Sequence, residues 1–242
     1  MRRYYYDLHI HSCLSPCGDN DNTPNNIAGM ASLCELDIVA LTDHNTTKNC
    51  PAFFAAAKKY GIIPIAGMEL TTSEDIHVVC LFEKLPDALE FDYFINGKRI
   101  KIKNKPQIFG EQLILDADDN IIAQEENLLS NATAISIDEV TSLIKKFNGI
   151  CYPAHIDRTS NGIIAILGTI PQDSGFAMYE VHSKDQVDRL AKEYAIDKDR
   201  FIVSSDAHYL TDMRDRENFF DLVSEDCDDA VAELFDIFRR KL

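Results

Sequence analysis

An α/β protein whose strands and helices alternate around a closed or nearly closed barrel is what this 242-residue sequence predicts. Three observations carry that expectation. Short apolar strand patterns alternate with amphipathic helix patterns along most of the chain. An apolar content of 45% is enough for a large core, and the length suits one barrel. The expected organisation is a single domain over residues 1–242, with a β-rich insertion or flap at about 85–135.

The chain enters on Tyr4-Tyr5-Tyr6-Asp7-Leu8-His9-Ile10-His11, an extended strand in which His9 and His11 share one side and Leu8 and Ile10 take the other. After a polar loop, Ser12 to Asn22, Thr23 reads as an N-cap and Pro24 as the first helical residue, with Ile27, Met30, Ala31 and Cys34 at helical spacing. Strand two is Asp37 to Leu41. Pro51 opens a helix that Gly61 stops, and strands three and four are Ile62 to Ala66 and Ile76 to Phe82. The short segment between them is too short for the helical crossover that parallel neighbours need. These two strands are therefore expected to be antiparallel, which sets His77 beside Glu69.

From Leu85 to Ala134 the alternation breaks. Pro86 starts a short helix, and the polar stretch Asn96 to Gly110 carries five lysines or arginines. Gln112 to Asp116 and Ile121 to Glu125 flank Ala117-Asp118-Asp119-Asn120, a hairpin pattern with a four-residue loop. Ser136 and Glu139 form a capping box for a helix to Phe147, and strand five follows at Ile150 to Pro153. A loop or helix is expected over Ser160 to Gly168, strand six over Phe176 to Val181, a helix capped by Ser183 and Gln186, and strand seven over Phe201 to Ser204. The segment Asp228 to Leu242 is amphipathic, with Val231, Leu234, Phe235 and Phe238 on one side to pack on the core.

Forty acidic against 24 basic residues give a formal charge of -16. Such a charge repels polyphosphate backbones, so no long nucleic acid is expected as a tight partner, whereas a small phosphorylated molecule is less penalised. No stretch of about 18 apolar residues exists and no signal-peptide core follows the first methionine, so no membrane association and a cytoplasmic location are expected. Seven cysteines without dense short spacings suit reduced thiols, with Cys34, Cys80 and Cys151 as small core residues.

Loops at strand C-termini are where a barrel collects its chemistry. All seven histidines fall there: His9 and His11, His44 after Asp43, His77 through the antiparallel turn, His155, His182, and His208 after Asp206. Each alone reads as an ordinary hydrogen-bonded residue; together they read as ligands. Imidazoles mixed with Glu69 and Asp206 suit Zn, Mn or Fe, and nine candidate groups exceed one tetrahedral shell, which implies at least two divalent ions. Two ions about 3.5 to 4 Å apart sharing a carboxylate can stabilise a departing phosphate oxygen.

With these residues in place, the sequence resembles the PHP (polymerase and histidinol phosphatase) family. His9-x-His11, Thr42-Asp43-His44, Glu69, His77, His155 and Asp206-x-His208 follow the order of its four motifs over essentially the whole chain. The resemblance implies a distorted (β/α)7 barrel, three metals and phosphoester hydrolysis. It implies one metal on His9, His11, Glu69 and Asp206, with Glu69 bridging; a second on Glu69, His77 and His155; and a third on His44, His208 and a residue of the first loop. Relatives place His or Asp at that loop position. Here Cys17 stands at the matching spacing, with Asp19 nearby.

Other residues are expected to assist. Asp43 would orient a ligand histidine. Arg158, three residues past His155, is placed to fork onto a substrate phosphate, with Lys184 as a further candidate. His182 could contact substrate or protonate the leaving group.

The expected function is hydrolysis of a small phosphorylated metabolite or a nucleotide by attack of a metal-bridged hydroxide on phosphorus, of phosphatase or nucleotidase type. Two alternatives stand beside it. One is a metal-binding module without catalysis, in a structural or regulatory role. The other is a metal-dependent amidohydrolase, which would usually need a lysine at a middle strand end where this chain has none. The basic stretch Lys98 to Lys105 could approach a nucleotide, although a solvated loop is the simpler reading.

Overall fold

A computed structural model describes residues 1–171, 174–224 and 226–241. In chain order the elements are β1 (Arg2–Ile10), α1 (Pro24–Leu33), β2 (Ile38–Leu41), α2 (Cys50–Tyr60), β3 (Ile63–Thr71), β4 (His77–Phe82), α3 (Leu85–Asn96), α4 (Pro106–Phe109), β5 (Leu113–Leu115), β6 (Ile121–Gln124), α5 (Ile137–Lys145), β7 (Gly149–Pro153), α6 (Ile163–Leu167), β8 (Tyr179–Val181), α7 (Val187–Tyr194), β9 (Phe201–Val203), β10 (Phe219–Leu222) and α8 (Cys227–Arg239). Local signals account for several helix ends. The Thr23 side chain accepts from the Asn26 amide, the Ser136 and Glu139 capping box is formed, and Gly61 ends α2 at φ 71°, where a side chain would be strained.

Six strands form one sheet in the order β10-β1-β2-β3-β4-β7, while β8 and β9 pair in parallel and β5 and β6 form the hairpin. The result is a mixed α/β fold built on a curled sheet, a half-barrel. Single links carry the curl onward. The Ile156 amide donates to the Glu180 carbonyl, joining the end of β7 to β8, and Ile10 bridges Ala207 just beyond β9. As expected, β3 and β4 are antiparallel, and Thr71 faces His77 across them. β7 is also antiparallel to β4, so this part of the sheet is not a run of parallel βα units.

Several expectations give way to the structure. β3 continues to Thr71, which keeps Glu69 inside the strand, and the strand expected over Phe176 to Val181 begins only at Tyr179. Ser183 makes no side-chain cap; Lys184–Gln186 is a 3-10 turn that leads into α7. β10 was not anticipated. It pairs antiparallel with the start of β1, Tyr5 opposite Phe219.

Strict alternation along β1 also fails. The register with β2 shifts between Asp7 and Ile10, and the extra twist sends Leu8 and Ile10 into different apolar clusters. Leu8 packs with Ile38, Ala40 and Ile65; Ile10 packs with Val39, Leu41 and Met68.

Those two clusters are the two faces of the sheet, since neighbours along β2, β3 and β4 alternate between them. Helices α1 and α2 cover one face through Ile27, Ala31 and Phe53. α8 covers the other, with Leu234, Phe235 and Phe238 fully buried as the amphipathic pattern predicts; Leu242 lies outside the described residues. Each such side chain contributes about 1.5–3 kcal/mol by leaving water. The Phe235→Ala variant should therefore lose about 3–5 kcal/mol of unfolding free energy in a urea titration.

The segment after β4 is fastened to the loop after β2 by a charge cluster: Glu125 Oε2 accepts from Lys48 Nζ and from Arg99 Nη2 at 3.3 Å. Burial raises the Glu125 carboxyl, but the Lys48 bond and the Arg99 and Lys48 charges outweigh it and hold the group at about 2. A carboxyl held below its ordinary range stabilises the fold above that range and ceases to do so as pH falls towards about 2. The melting-temperature gap between the wild type and Glu125→Gln should accordingly be widest above pH 5 and close between pH 4 and pH 2.

Candidate metal centre

Side chains from six elements or the loops just after them meet at one end of the half-barrel. β1 brings His9 and His11, the loop after β2 brings His44, β3 brings Glu69, β4 brings His77, the residue pair after β7 brings His155, and the loop after β9 brings Asp206 and His208. Two of these sit on left-handed backbone, His155 at φ 29° and Asp206 at φ 53°. Such a conformation is uncommon for a residue with a side chain and is found where the surroundings demand a particular direction.

The centre of the cluster is Glu69. Its Oε1 lies 2.8 Å from His77 Nδ1, 3.1 Å from His155 Nε2 and 3.4 Å from His9 Nε2. Its Oε2 lies 2.9 Å from His44 Nδ1 and 3.2 Å from His11 Nε2. Asp206 Oδ1 is 3.3 Å from His9 Nε2 and 3.2 Å from His11 Nε2. Burial pushes the Glu69 carboxyl up, but the His77, His9, His44 and His11 rings together hold it well below the usual carboxylate range. Both carboxylates are thus ionised acceptors in a dry setting.

Three groups of donors could each hold an ion: His9, His11, Glu69 and Asp206; His44, Glu69 and His77; and His11, His44 and His208. Within each group the donor atoms lie within 4.8 Å of one another. Fit to a cation is also visible in what the donors lack. Although rings stand within 3.4 Å of the carboxylates, Glu69 Oε2, Asp206 Oδ1 and His44 Nδ1 are buried and make no well-aligned hydrogen bond, an arrangement that is costly unless a cation completes it.

The outer atoms of the rings are fixed by acceptors. His9 Nδ1 lies 2.9 Å from Glu180 Oε1, so that nitrogen carries the proton and Nε2 turns its lone pair inward. His208 Nδ1 donates to the Asp206 carbonyl at 2.9 Å with the same effect. Asp43 accepts from the Ser12 amide and hydroxyl and from Ser15 Oγ, each at 2.7 Å, and Ser15 Oγ lies 2.8 Å from His11 Nδ1. Asp43 thus reaches His11 through Ser15 rather than touching a ring.

Cys17 comes within 3.5 Å of His44 Nε2. Burial raises its thiol, yet bonds to His208 and His44 prevail and bring it down to about 5. The loop can present it because Gly18 has no Cβ; one there would collide with the Ser12 carbonyl. Arg158 pairs with Asp206 Oδ2 at the rim of a cleft of about 280 Å³ that Cys17, His44, His77, His155 and His208 also line.

Of the residues expected to contact substrate, two are not among those lining this cleft. Lys184 lines a different one with Val187 and Phe201. His182 is held by Arg214, whose Nη2 lies 3.3 Å from its Nε2 and donates to its carbonyl, while Arg158 and Asp206 of the cleft are near enough to act on its charge. Conversely, Glu180 and Ser15 were not singled out from sequence. The signal for Glu180 was a carboxylate two residues before a strand-end histidine, inside an otherwise apolar strand.

The family model for the PHP domain matches residues 7–240. The chain belongs to the PHP family. An uncharacterized protein of Methanocaldococcus jannaschii is 33% identical over 92 residues, which span 34% of this chain and 54% of that protein. Among solved structures, the lesion-specific endonuclease Q of Pyrococcus furiosus superposes with a TM-score of 0.67 at 16% identity over 99% of this chain, which spans only 56% of that enzyme. A Bifidobacterium adolescentis protein assigned as a metal-dependent phosphoesterase gives 0.59 at 18% identity, covering 85% of this chain and 88% of that one. A Chromobacterium violaceum amidohydrolase also gives 0.59 at 18% identity, covering 98% and 96%.

One of these likenesses corrects the exclusion of long nucleic acid. Endonuclease Q has been solved with a 27-mer duplex whose abasic lesion lies at the active site, and that chain shares this fold with a TM-score of 0.59 at 17% identity over 96% of this chain and 57% of its own. Net charge does not decide the partner, because it is a far-field quantity, screened over about 8 Å at physiological salt, while the charges nearest a site set the field where a phosphate arrives.

PHP proteins are metal-dependent hydrolases, and among the described residues no helix is long and apolar enough to cross a membrane. A cation at 100 times its dissociation constant adds about 2.7 kcal/mol to stability. Adding Mn or Zn to chelator-treated protein should therefore raise its melting temperature by several degrees. Glu69→Gln should lose most of that rise.

Proposed function

We propose that the chain is a metal-dependent phosphoester hydrolase acting on a phosphate group carried by a small metabolite, a nucleotide or a nucleic-acid strand end. The observation that carries this reading is the juxtaposition of Asp206 and Arg158: a carboxylate of the ligand cluster and an arginine fork meet at the mouth of one cleft. In this reading His9, His11, Glu69 and Asp206 hold one ion. Glu69, His77 and His155 hold a second with His44 alongside, and His44, His208 and Cys17 hold a third.

Divalent ions there would supply Lewis acidity at phosphorus and lower the pKa of bound water. The protein does the rest. Glu69 and Asp206 face several rings at once and fix the spacing of the cluster, while Glu180, Ser15 and the Asp206 carbonyl keep the inward nitrogens unprotonated. Arg158, its side chain 39% exposed, can swing from Asp206 onto two phosphate oxygens. Ser130, Ser160 and Asn161 line the same opening and offer neutral donors to the ester.

The amidohydrolase reading keeps the fold but lacks its usual lysine: among the described residues none lines the cleft. Purified protein given Mn or Zn should cleave members of a panel of phosphate mono- and diesters and leave a matching panel of amides intact. Arg158→Ala should raise KM for the ester about tenfold or more, the worth of a charge-assisted bond. Full metal occupancy with no turnover of any ester would instead establish a non-catalytic metal-binding module.

A further inference from the structure

We propose that the basic strap Lys98–Lys105 and the groove beside α3 bind a single-stranded nucleic acid, with the strand running from there towards the metal cleft. The proposal deepens the reading above and rests on it for the chemistry at the strand's end.

The first observation is charge. In a chain of formal charge -16, Lys101, Lys103 and Lys105 are exposed on one extended segment and form no ion pair among the described residues. Arg99 is committed to Glu125, and Lys98 lies over the Phe94 ring at 5.5 Å. Lys101, Lys103 and Lys105 are alternate residues of this segment, so three free ammonium groups fall within one short stretch of exposed chain. Lysines left unpaired amid excess carboxylates are suited to a linear polyanion.

The second observation is an aromatic surface beside them. A groove of about 470 Å³ is lined by Tyr93, Phe94, Phe147 and Lys101, with Glu90 as its one carboxylate. Tyr93 is 84% exposed, where a ring of that size finds no cover from the protein. Cations along a track with exposed rings beside it are the elements of single-strand binding, because a base can stack on the ring while the ammonium groups follow the backbone. Duplex DNA, with its bases stacked inward, could use only the cations.

The third is the route to the site. The strap bridges the segment before α5 at Arg99 and Thr133 and at Lys103 and Asn127. Thr133 donates to the Thr71 carbonyl, and Thr71 faces His77. Arg99, Thr133, Thr71 and His77 are thus four neighbours in a row, which puts the Arg99 end of the strap about 15 Å from His77. Ser130, on the intervening segment, lines the metal cleft itself.

Fluorescence anisotropy with a labelled single-stranded oligodeoxynucleotide, measured across a salt series, tests this. The wild type should bind with a negative salt slope. The triple variant Lys101→Gln, Lys103→Gln, Lys105→Gln should reduce that slope by about 2. A control with the same charge change elsewhere, Lys58→Gln, Lys145→Gln, Lys192→Gln, should leave it unchanged, and Tyr93→Ala should weaken binding of the single strand about tenfold but not that of a duplex. Equal loss in the control, or a wild type that cleaves small esters yet binds no oligonucleotide, would overturn the strap. Strap-dependent binding without any ester cleavage would overturn the hydrolase reading and leave the strap standing.

Discussion

A single buried carboxylate, that of Glu69, stands within 3.4 Å of five imidazole rings drawn from β1, the loop after β2, β4 and the end of β7. A charge withdrawn from water must be met by compensating charge at close range, or the fold loses several kcal/mol. The rest of the site can be understood as the arrangement that meets this demand. Protonated rings could meet it, but the rings would then repel one another in a small volume. Divalent cations meet it with fewer particles and leave the rings neutral, which is why the orphaned atoms at Glu69 Oε2 and Asp206 Oδ1 matter. The donors come from segments nearly 200 residues apart, so binding an ion there also ties the two ends of the chain together.

The outer contacts of those rings decide whether the inner ones can act. A histidine between an acceptor and a cation is held in one tautomer, and three different acceptors do this here: the Glu180 carboxylate, the Ser15 hydroxyl and the Asp206 carbonyl. The Ser15 case is the most indirect. Asp43 draws the serine proton, which leaves the hydroxyl oxygen to accept from His11. Glu180 does double duty, since it also accepts from the His155 amide and so bears on the left-handed backbone at that residue.

The local pattern made the strand ends legible, and with them the convergence of histidines, because a period of two followed by a polar break is a short-range signal. The antiparallel placing of His77 was legible from loop length alone. What escaped was long-range. The register shift between Asp7 and Ile10 depends on what β2 and β10 require of β1, and β10 itself is four residues whose pairing partner lies more than 200 positions away. His182 and Lys184 follow a strand end like the true members of the cluster, but the 3-10 turn at Lys184 and the Arg214 fork divert them. Glu180 was hidden for the opposite reason, since its partners are set by folding and not by spacing.

The charge balance is the clearest case of a whole-chain quantity failing at a site. Some of the 40 acidic residues are offset at close range: Glu125 is paired with Lys48 and Arg99, and Asp206 with Arg158. A phosphate approaching the cleft meets Arg158 first, and on the side of the strap it meets exposed lysines. Beyond about one Debye length the remaining carboxylates of the far surface contribute little. The field that a phosphate meets is therefore set by the charges nearest its path: Arg158 at the rim of the cleft, and the exposed lysines of the strap on the segment that bridges Thr133 and Asn127.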